Sequence, residues 1–210
     1  MKCSLLADIG NTHFHIYTTD GVEHLSHSQA IEKYQDKALV YICVNTSLSQ
    51  EIAKIKKWKN ISSLMELEGA YDTMGVDRKA LCLSHDNGIF IDAGSAITVD
   101  IMLDGVYQGG FILLGIQAYL ASYASISEVL DVALETSVNV DTLPCTTKEG
   151  ISYGIIASIK ALIDKHSHGK TRYFTGGDGA FLSTFFEDAI YDESLVFQGV
   201  QKVIKELKIC

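Results

Sequence analysis

Two segments of the chain carry the same pattern, and that repeat limits its possible folds more than any other feature. Leu6-Ala7-Asp8-Ile9-Gly10-Asn11-Thr12 and Ile91-Asp92-Ala93-Gly94-Ser95-Ala96-Ile97-Thr98 each run from apolar residues to an aspartate. A glycine stands two positions on, then an amide or hydroxyl residue, then a further apolar alternation. The pattern reads as strand, tight turn, strand. Such a turn presents a carboxylate and several backbone N–H groups at one point. A chain that builds it twice is expected to fold as two similar lobes facing one anionic ligand.

The residues around each turn repeat as well. Residues 4–9, 13–18 and 22–26 read as strands, with Asp20-Gly21 as a hairpin turn. The apolar run 38–44 reads as a buried parallel strand, and 46–58 and 74–84 read as helices, the second starting near Asp77. After Asp86-Asn87-Gly88 the series restarts, with strands over 88–92, 96–103 and 106–113 and a turn at Asp104-Gly105. Helices are expected over 116–125 and 147–166, a strand over 171–175, a helix over 178–185, a strand over 195–197 and a last helix over 199–208. With one proline, Pro144, in the chain, glycines supply the punctuation. The economical architecture is α/β, with two lobes, each a mixed βββαβα sheet with helices, and a cleft between them. The lobes are expected over residues 1–86 and 87–210.

Composition narrows the class of ligand. With 47% hydrophobic residues in 210, a sizeable core is affordable in area. A net charge of −9, from 26 acidic against 17 basic residues, argues against nucleic acid or an anionic membrane as partner. It leaves phosphate open, because backbone N–H groups and a metal bind phosphate without a basic surface. The five cysteines, Cys3, Cys43, Cys82, Cys145 and Cys210, are odd in number and show no C-x-x-C spacing. With no signal-peptide pattern ahead of them, they read as reduced thiols of a cytoplasmic protein. No apolar run reaches the roughly 18 residues of a membrane span. The longest, 112–124, is interrupted by Gly115, Gln117 and Ser122 and reads as a buried helix.

The turns suggest chemistry. Gly10 permits a positive φ and close approach of a phosphate to the backbone, and Asn11 and Thr12 supply donors. Asp8 repels phosphate and is better suited to a hydrated Mg²⁺ that bridges to it. Gly94 and Ser95 would face a phosphate from the opposite lobe. Thr175-Gly176-Gly177-Asp178-Gly179 follows a strand and opens a helix, a turn suited to packing against a nucleotide. Each of these also reads as ordinary loop chemistry, an Asx-turn hairpin or a glycine pair before a helix. His13 and His15 share a strand face as a conceivable metal pair, with no third ligand nearby in sequence. His166 and His168 complement the end of a helix dipole.

Four further segments carry a resemblance. Gly75-Val76-Asp77-Arg78 matches G-x-D-R, and Asp92-Ala93-Gly94-Ser95-Ala96 matches D-x-G-T-A with serine for threonine. Gly109-Gly110-Phe111-Ile112-Leu113-Leu114-Gly115 matches G-G-x-I-x-P-G with Leu114 at the proline. Thr147-Lys148-Glu149-Gly150-Ile151-Ser152-Tyr153-Gly154 matches T-x-x-A-I-x-x-G with Gly150 at the alanine. In this order, with the N-terminal turn and Thr175-Gly176-Gly177, the chain resembles the type III pantothenate kinases. They belong to the acetate-kinase, hexokinase, actin and heat-shock-chaperone superfamily. The resemblance implies two ribonuclease H-like, actin-like ATPase lobes.

It also implies ATP-dependent phosphorylation of pantothenate to 4′-phosphopantothenate, the first step of coenzyme A biosynthesis. Asp77 would be the proton acceptor, and a carboxylate suits the task of orienting a hydroxyl and taking its proton. Arg78 offers a planar fork for a substrate carboxylate. Read from the residues alone, the pair is sooner a dipole-favoured aspartate beside a surface arginine, and it is the resemblance that favours catalysis. By resemblance Tyr71, Gly75, Val76, Asp77 and Arg78 line the pantothenate site, with Thr147 reaching the site of a partner subunit in a homodimer. Asp8, Ile9, Gly10, Asn11, Thr12, His13, Phe14 and His15, with Ser95, Gly176 and Gly177, would contact ATP. Asp8 would hold Mg²⁺ through water, and Asp92 would bind a monovalent cation, K⁺ or NH₄⁺. Two alternatives stand beside this reading, a non-catalytic regulatory relative of the same fold and a kinase of another small hydroxy acid.

Overall fold

The computed structural model describes residues 5–209; Cys3, Cys210 and the strand start expected at Ser4 lie outside the described residues. In chain order the elements are β1 (Leu6–Ile9), β2 (Phe14–Thr18), β3 (Gly21–Leu25), α1 (His27–Tyr34), β4 (Leu39–Cys43), α2 (Thr46–Ile52), β5 (Trp58–Asn60) and α3 (Val76–Leu83). They continue as β6 (Gly88–Ala93), β7 (Ala96–Leu103), β8 (Val106–Leu114), α4 (Ile116–Ile126), α5 (Thr147–Ser167), β9 (Arg172–Thr175), α6 (Gly179–Ser183), β10 (Ala189–Tyr191) and α7 (Leu195–Glu206).

The strands form two five-stranded sheets, ordered β3-β2-β1-β4-β5 and β10-β9-β6-β7-β8. Read from its other edge the second order is β8-β7-β6-β9-β10, the first order with every strand advanced by five. In the first sheet β1 pairs antiparallel with β2 and parallel with β4, while β3 and β5 close the edges. In the second, β6, β9 and β10 run parallel. The β6–β7 and β7–β8 connections are two-residue turns, which suit only antiparallel neighbours. This is the α/β arrangement of two mixed sheets that the repeated turn predicts.

Clustering of the backbone gives two compact units that are not contiguous in sequence. The first takes the chain up to Asn87, the stretch Ile101–Gly109 and the chain from Glu193 onward; the second takes Gly88–Asp100 and Gly110–Asp192. Ala7, Ile9, Phe14, Ile16, Tyr34, Tyr41, Ile52 and Trp58 form one buried cluster in the first unit. Along β1, Leu6, Ala7 and Ile9 are buried and Asp8 is half-buried, and Asp8 pairs with His15 on β2 and Ile42 on β4. A one-residue slip would carry the Asp8 carboxylate to the face that Ala7 and Ile9 bury, so burial holds the register. In the second unit α5 buries Ile151, Ile155, Ile159 and Ile163 at helical spacing.

Four elements differ from the sequence reading. The helix expected over 46–58 ends at Ile52. Trp58 instead opens β5, packs its indole near Phe14 and Tyr41, and donates Nε1–H to the Tyr34 carbonyl at 3.1 Å. Helix α1 was not expected; Ser26 and Gln29 form a capping box at its start, a signal present in the sequence. Leu195, Val196 and Phe197 open α7 instead of a strand, because Leu195, Val196, Val200 and Val203 bury one helical face; the strand here is β10. Helix α6 is also shorter than expected, ending at Ser183.

Helix α7 returns to the first unit and lies against α3. A Cβ on Gly199 would overlap the Ala80 carbonyl oxygen. Gly199→Ala is therefore expected to cost about 1–3 kcal/mol through overpacking. Gly150 stands exposed in the first turn of α5, and a Cβ there would meet no atom within 4 Å. Gly150→Ala is expected to gain roughly 0.5–1 kcal/mol. Urea midpoints of the two variants, moving in opposite directions, check both statements.

Candidate active site

The turn between β1 and β2 closes with the Gly10 N–H donating to the His13 carbonyl at 3.0 Å. Gly10 does not adopt a left-handed φ, contrary to the expectation from sequence. Its glycine is instead favoured by space, since a Cβ would stand 3.3 Å from the His13 oxygen. Asn11, Thr12 and His13 are exposed, whereas Ile9 and Phe14 are wholly buried. Of the residues expected to contact ATP, Ile9 and Phe14 therefore give their side chains to the core and have only backbone to offer a phosphate. His27, the first residue of α1, brings Nε2 to 3.0 Å from the Gly10 carbonyl and braces the turn. Sequence reasoning missed His27 because it missed α1.

The second turn has the same form, with the Gly94 N–H donating to the Ala96 carbonyl at 3.0 Å. Asp92 is half-buried and Ser95 is exposed. Two distant glycines press on this turn. A Cβ on Gly115 would stand 2.5 Å from the Ser95 carbonyl oxygen, and the Gly115 N–H donates to that oxygen at 3.2 Å. Gly176 has φ +84°, and its Cβ would meet the Asp92 Oδ1 and stand 2.6 Å from the Ala93 oxygen. The Asp178 N–H also donates to Ala93 at 2.9 Å. Gly176 is thus brought against Asp92, while Gly177 is exposed beside it. Burial pushes the Asp178 carboxyl above its ordinary range. Thr147 is exposed as the first residue of α5, whose N-cap is Thr146.

Tyr71, Gly75, Val76, Asp77 and Arg78 come together in the first unit. Gly75 caps α3, and Asp77 lies in its first turn, where a carboxylate complements the helix dipole. The Asp77 Oδ1 accepts the Arg78 N–H at 2.8 Å, and a Cβ on Gly75 would collide with that oxygen. Arg78 is not a surface residue: it is 7% exposed, against 45% for Tyr71. Its Nη1 donates to the Tyr71 hydroxyl at 2.6 Å, and the Tyr107 hydroxyl lies 3.5 Å from Nη2. A buried guanidinium beside a fixed carboxylate is a setting for an anionic, hydroxyl-bearing ligand. Tyr107 escaped the sequence reading because it sits in the alternation of β8, far from Gly75-Val76-Asp77-Arg78 in the chain.

His15 lies inside a cluster of imidazoles. Its Nδ1 is 2.6 Å from the His24 Nδ1 across the β2–β3 ladder, and the His13 ring centroid is 6.2 Å away. Burial, then His24 and His13, lowers the His15 pKa to about 4. The His24 Nε2 faces Glu193 at 3.7 Å. Among the described residues no group of three or more His, Cys, Asp or Glu is placed to hold a metal.

The family model "Type III pantothenate kinase" matches residues 45–168, more than half of the chain. A type III pantothenate kinase of Helicobacter hepaticus is 43% identical over 203 residues, covering 96% of this chain and 98% of that protein. One from Campylobacter jejuni is 39% identical over 202 residues, covering 96% and 97%. A crystal structure from Campylobacter jejuni, of a protein described as a proposed Baf family transcriptional activator, superposes with TM-score 0.90 at 37% identity, covering 98% and 100%. At 12% identity and TM-score 0.56, the Clostridium difficile activator of 2-hydroxyisocaproyl-CoA dehydratase with bound ADPNP shares the fold, covering 99% and 97%.

The His15 geometry gives a pH dependence. Its folded pKa of about 4 lies below the ordinary 6.5, so the unfolded chain binds more protons between these values. Stability is full above pH 6.5 and is lost as pH falls toward 4. With solvent screening of a partly exposed cluster, the loss is on the order of 1–2 kcal/mol. His15→Gln is expected to flatten the dependence of the urea midpoint between pH 6.5 and 4, and an unchanged slope overturns the assignment.

Proposed function

The chain belongs to the type III pantothenate kinase family, and from that premise we propose how its residues divide the labour of the reaction. The enzyme is a kinase that transfers the γ-phosphoryl group of ATP to a hydroxyl of pantothenate, giving 4′-phosphopantothenate and ADP in coenzyme A biosynthesis. The observation that carries the assignment of roles is the buried Arg78 beside Asp77.

Asp77 is the proton acceptor. One oxygen is tied to the Arg78 N–H, which orients the carboxylate, and Gly75 leaves the space for that orientation. The acceptor hydroxyl gives its proton to the carboxylate as its oxygen bonds to the γ-phosphorus and the bond to the β-phosphate oxygen breaks. Arg78 takes the acceptor carboxylate with its fork, and Gly75, Val76 and Tyr71 line the same place. Anchoring the far end of the acceptor places its hydroxyl, a positional gain that accounts for much of the catalysis in phosphoryl transfer.

The two turns hold the nucleotide. Residues 8–15 receive its phosphates through backbone N–H groups and the exposed Asn11, Thr12 and His13, and Ser95 supplies a hydroxyl. Asp8, a single carboxylate at a strand end, suits a Mg²⁺ that keeps most of its waters and bridges to phosphate. Gly176 and Gly177 accept the nucleoside side. Asp92 holds a monovalent cation, K⁺ or NH₄⁺; in support, its half-buried carboxylate stands near the end of β6 with the backbone of Gly176 packed against it. Such a cation offsets phosphate charge that a chain of net charge −9 does not offset with basic residues.

The protein acts as a cytoplasmic homodimer in which Thr147 serves the partner's pantothenate site. Exposed apolar residues on β8, α4 and the segment after it, Ile112, Leu114, Ile126 and Val129, support an interface on that side. Among the described residues, no helix is long and apolar enough to cross a membrane. The lobe boundary proposed from sequence near residue 86 leaves α7 as a return crossing into the first unit.

Asp77→Asn is expected to lower kcat by about 10²–10⁴-fold while the ATP KM moves little. Gly75→Ala should lower kcat through the displaced carboxylate with little change in the urea midpoint, since a side-chain oxygen yields more readily than backbone. A pantothenate-dependent ADP assay with purified protein reads both, and Asp77→Asn turnover near wild type in a folded protein rejects the base assignment. Replacing K⁺ by Na⁺ in that assay is expected to reduce turnover at least tenfold, a loss that Asp92→Asn should make insensitive to the cation.

A further inference from the structure

The end-on edge of Arg78 is bracketed by two phenols that differ in freedom. Nη1 meets the Tyr71 hydroxyl at 2.6 Å, and Nη2 faces the Tyr107 hydroxyl at 3.5 Å. These two nitrogens form the fork that grips a carboxylate. Tyr71 is 45% exposed and follows an irregular segment, so its hydroxyl is free to yield to a ligand oxygen. Tyr107 is 7% exposed and is fixed by its backbone. Its N–H donates to the Glu68 carbonyl at 2.8 Å. The next residue, Gly69, has φ +81° and approaches so closely that a Cβ would stand 2.6 Å from the Tyr107 carbonyl oxygen. The two rings lie 6.3 Å apart.

We propose that Tyr107 is a positioning residue for acceptor selection: its buried hydroxyl holds the Nη2 side of Arg78, so the fork stays aimed at an incoming carboxylate while Tyr71 releases Nη1. This rests on the reading of Arg78 as the clamp for the pantothenate carboxylate. Arginine has several rotatable bonds, and a guanidinium that must be reoriented at each binding event loses affinity to ordering. A fixed phenol removes that loss. Its effect falls on the discrimination between an acceptor with a carboxylate and one without.

The test compares pantothenate with its neutral analogue, in which a hydroxymethyl group replaces the carboxylate, on wild type, Tyr107→Phe and Arg78→Gln. Phenylalanine keeps the ring and removes only the hydroxyl, and the thermal midpoint is measured alongside. In Tyr107→Phe the pantothenate KM is expected to rise about 3- to 10-fold, as for loss of a hydrogen bond to a charged group at long range. The KM values for ATP and for the neutral analogue should stay near wild type, so the preference for pantothenate falls by the same factor. Arg78→Gln should remove that preference. If Arg78→Gln loses the preference and Tyr107→Phe retains it, the positioning role is wrong and the clamp stands. If Arg78→Gln retains it, the clamp reading fails and the proposal with it. A parallel rise in the KM of both acceptors, or of ATP, marks Tyr107 as merely structural and overturns the proposal.

Discussion

At the end of β6 the backbone of three separated segments converges without intervening side chains. The Gly115 and Gly176 positions approach the Gly94–Ser95 turn and the Asp92–Ala93 peptide so closely that a methyl group at either would overlap main-chain oxygen. Backbone atoms do not yield as side-chain ends do, so these glycines are a condition for the turn having its shape. Asp92 keeps its orientation, and Ser95 its exposure, only while those approaches hold. The turn after β1 is looser by comparison, with a Gly10 contact of 3.3 Å and a brace from His27. One topology thus makes its two aspartate–glycine turns by different local means.

The same economy appears in the charge. The chain carries a net charge of −9, and in the proposed reading its aspartate–glycine turns would meet phosphate through backbone dipoles, which cost no desolvation of a charged side chain. The one guanidinium in the Tyr71–Arg78 segment is buried, where a positive charge is expensive unless its donors are met. Two phenols face those donors, the Tyr71 hydroxyl at Nη1 and the Tyr107 hydroxyl at Nη2.

Much of this was legible in the residues. The aspartate–glycine turns stand where the sequence placed them, and the order Gly75-Val76-Asp77-Arg78 sits at the start of a helix as its composition required. Strands β1–β4 and β6–β9 and the second-unit helix α5 followed from alternation and capping, whereas the three-residue strands β5 and β10 did not. What escaped notice had a physical reason in each case. Trp58 reads as the end of a helix until Phe14 and Tyr41 claim its indole. Leu195-Val196-Phe197 is too short an apolar run to declare its period, and burial on one helical face decided it. Arg78 looked like a surface residue because nothing in its neighbourhood of sequence reveals Tyr107.

By itself the sequence determined the local chemistry: which carboxylates stand at strand ends, which glycines allow turns, where a carboxylate lies beside a guanidinium, and that the pattern occurs twice. These depend on neighbouring residues, whose covalent spacing sets their geometry. Tertiary structure alone decided that Arg78 is buried, that Tyr107 faces it, that Gly176 presses on Asp92, and that α7 returns to pack on α3. Those facts depend on residues between about 30 and 120 positions apart, brought together by sheet order and core burial, and no local periodicity encodes such distances.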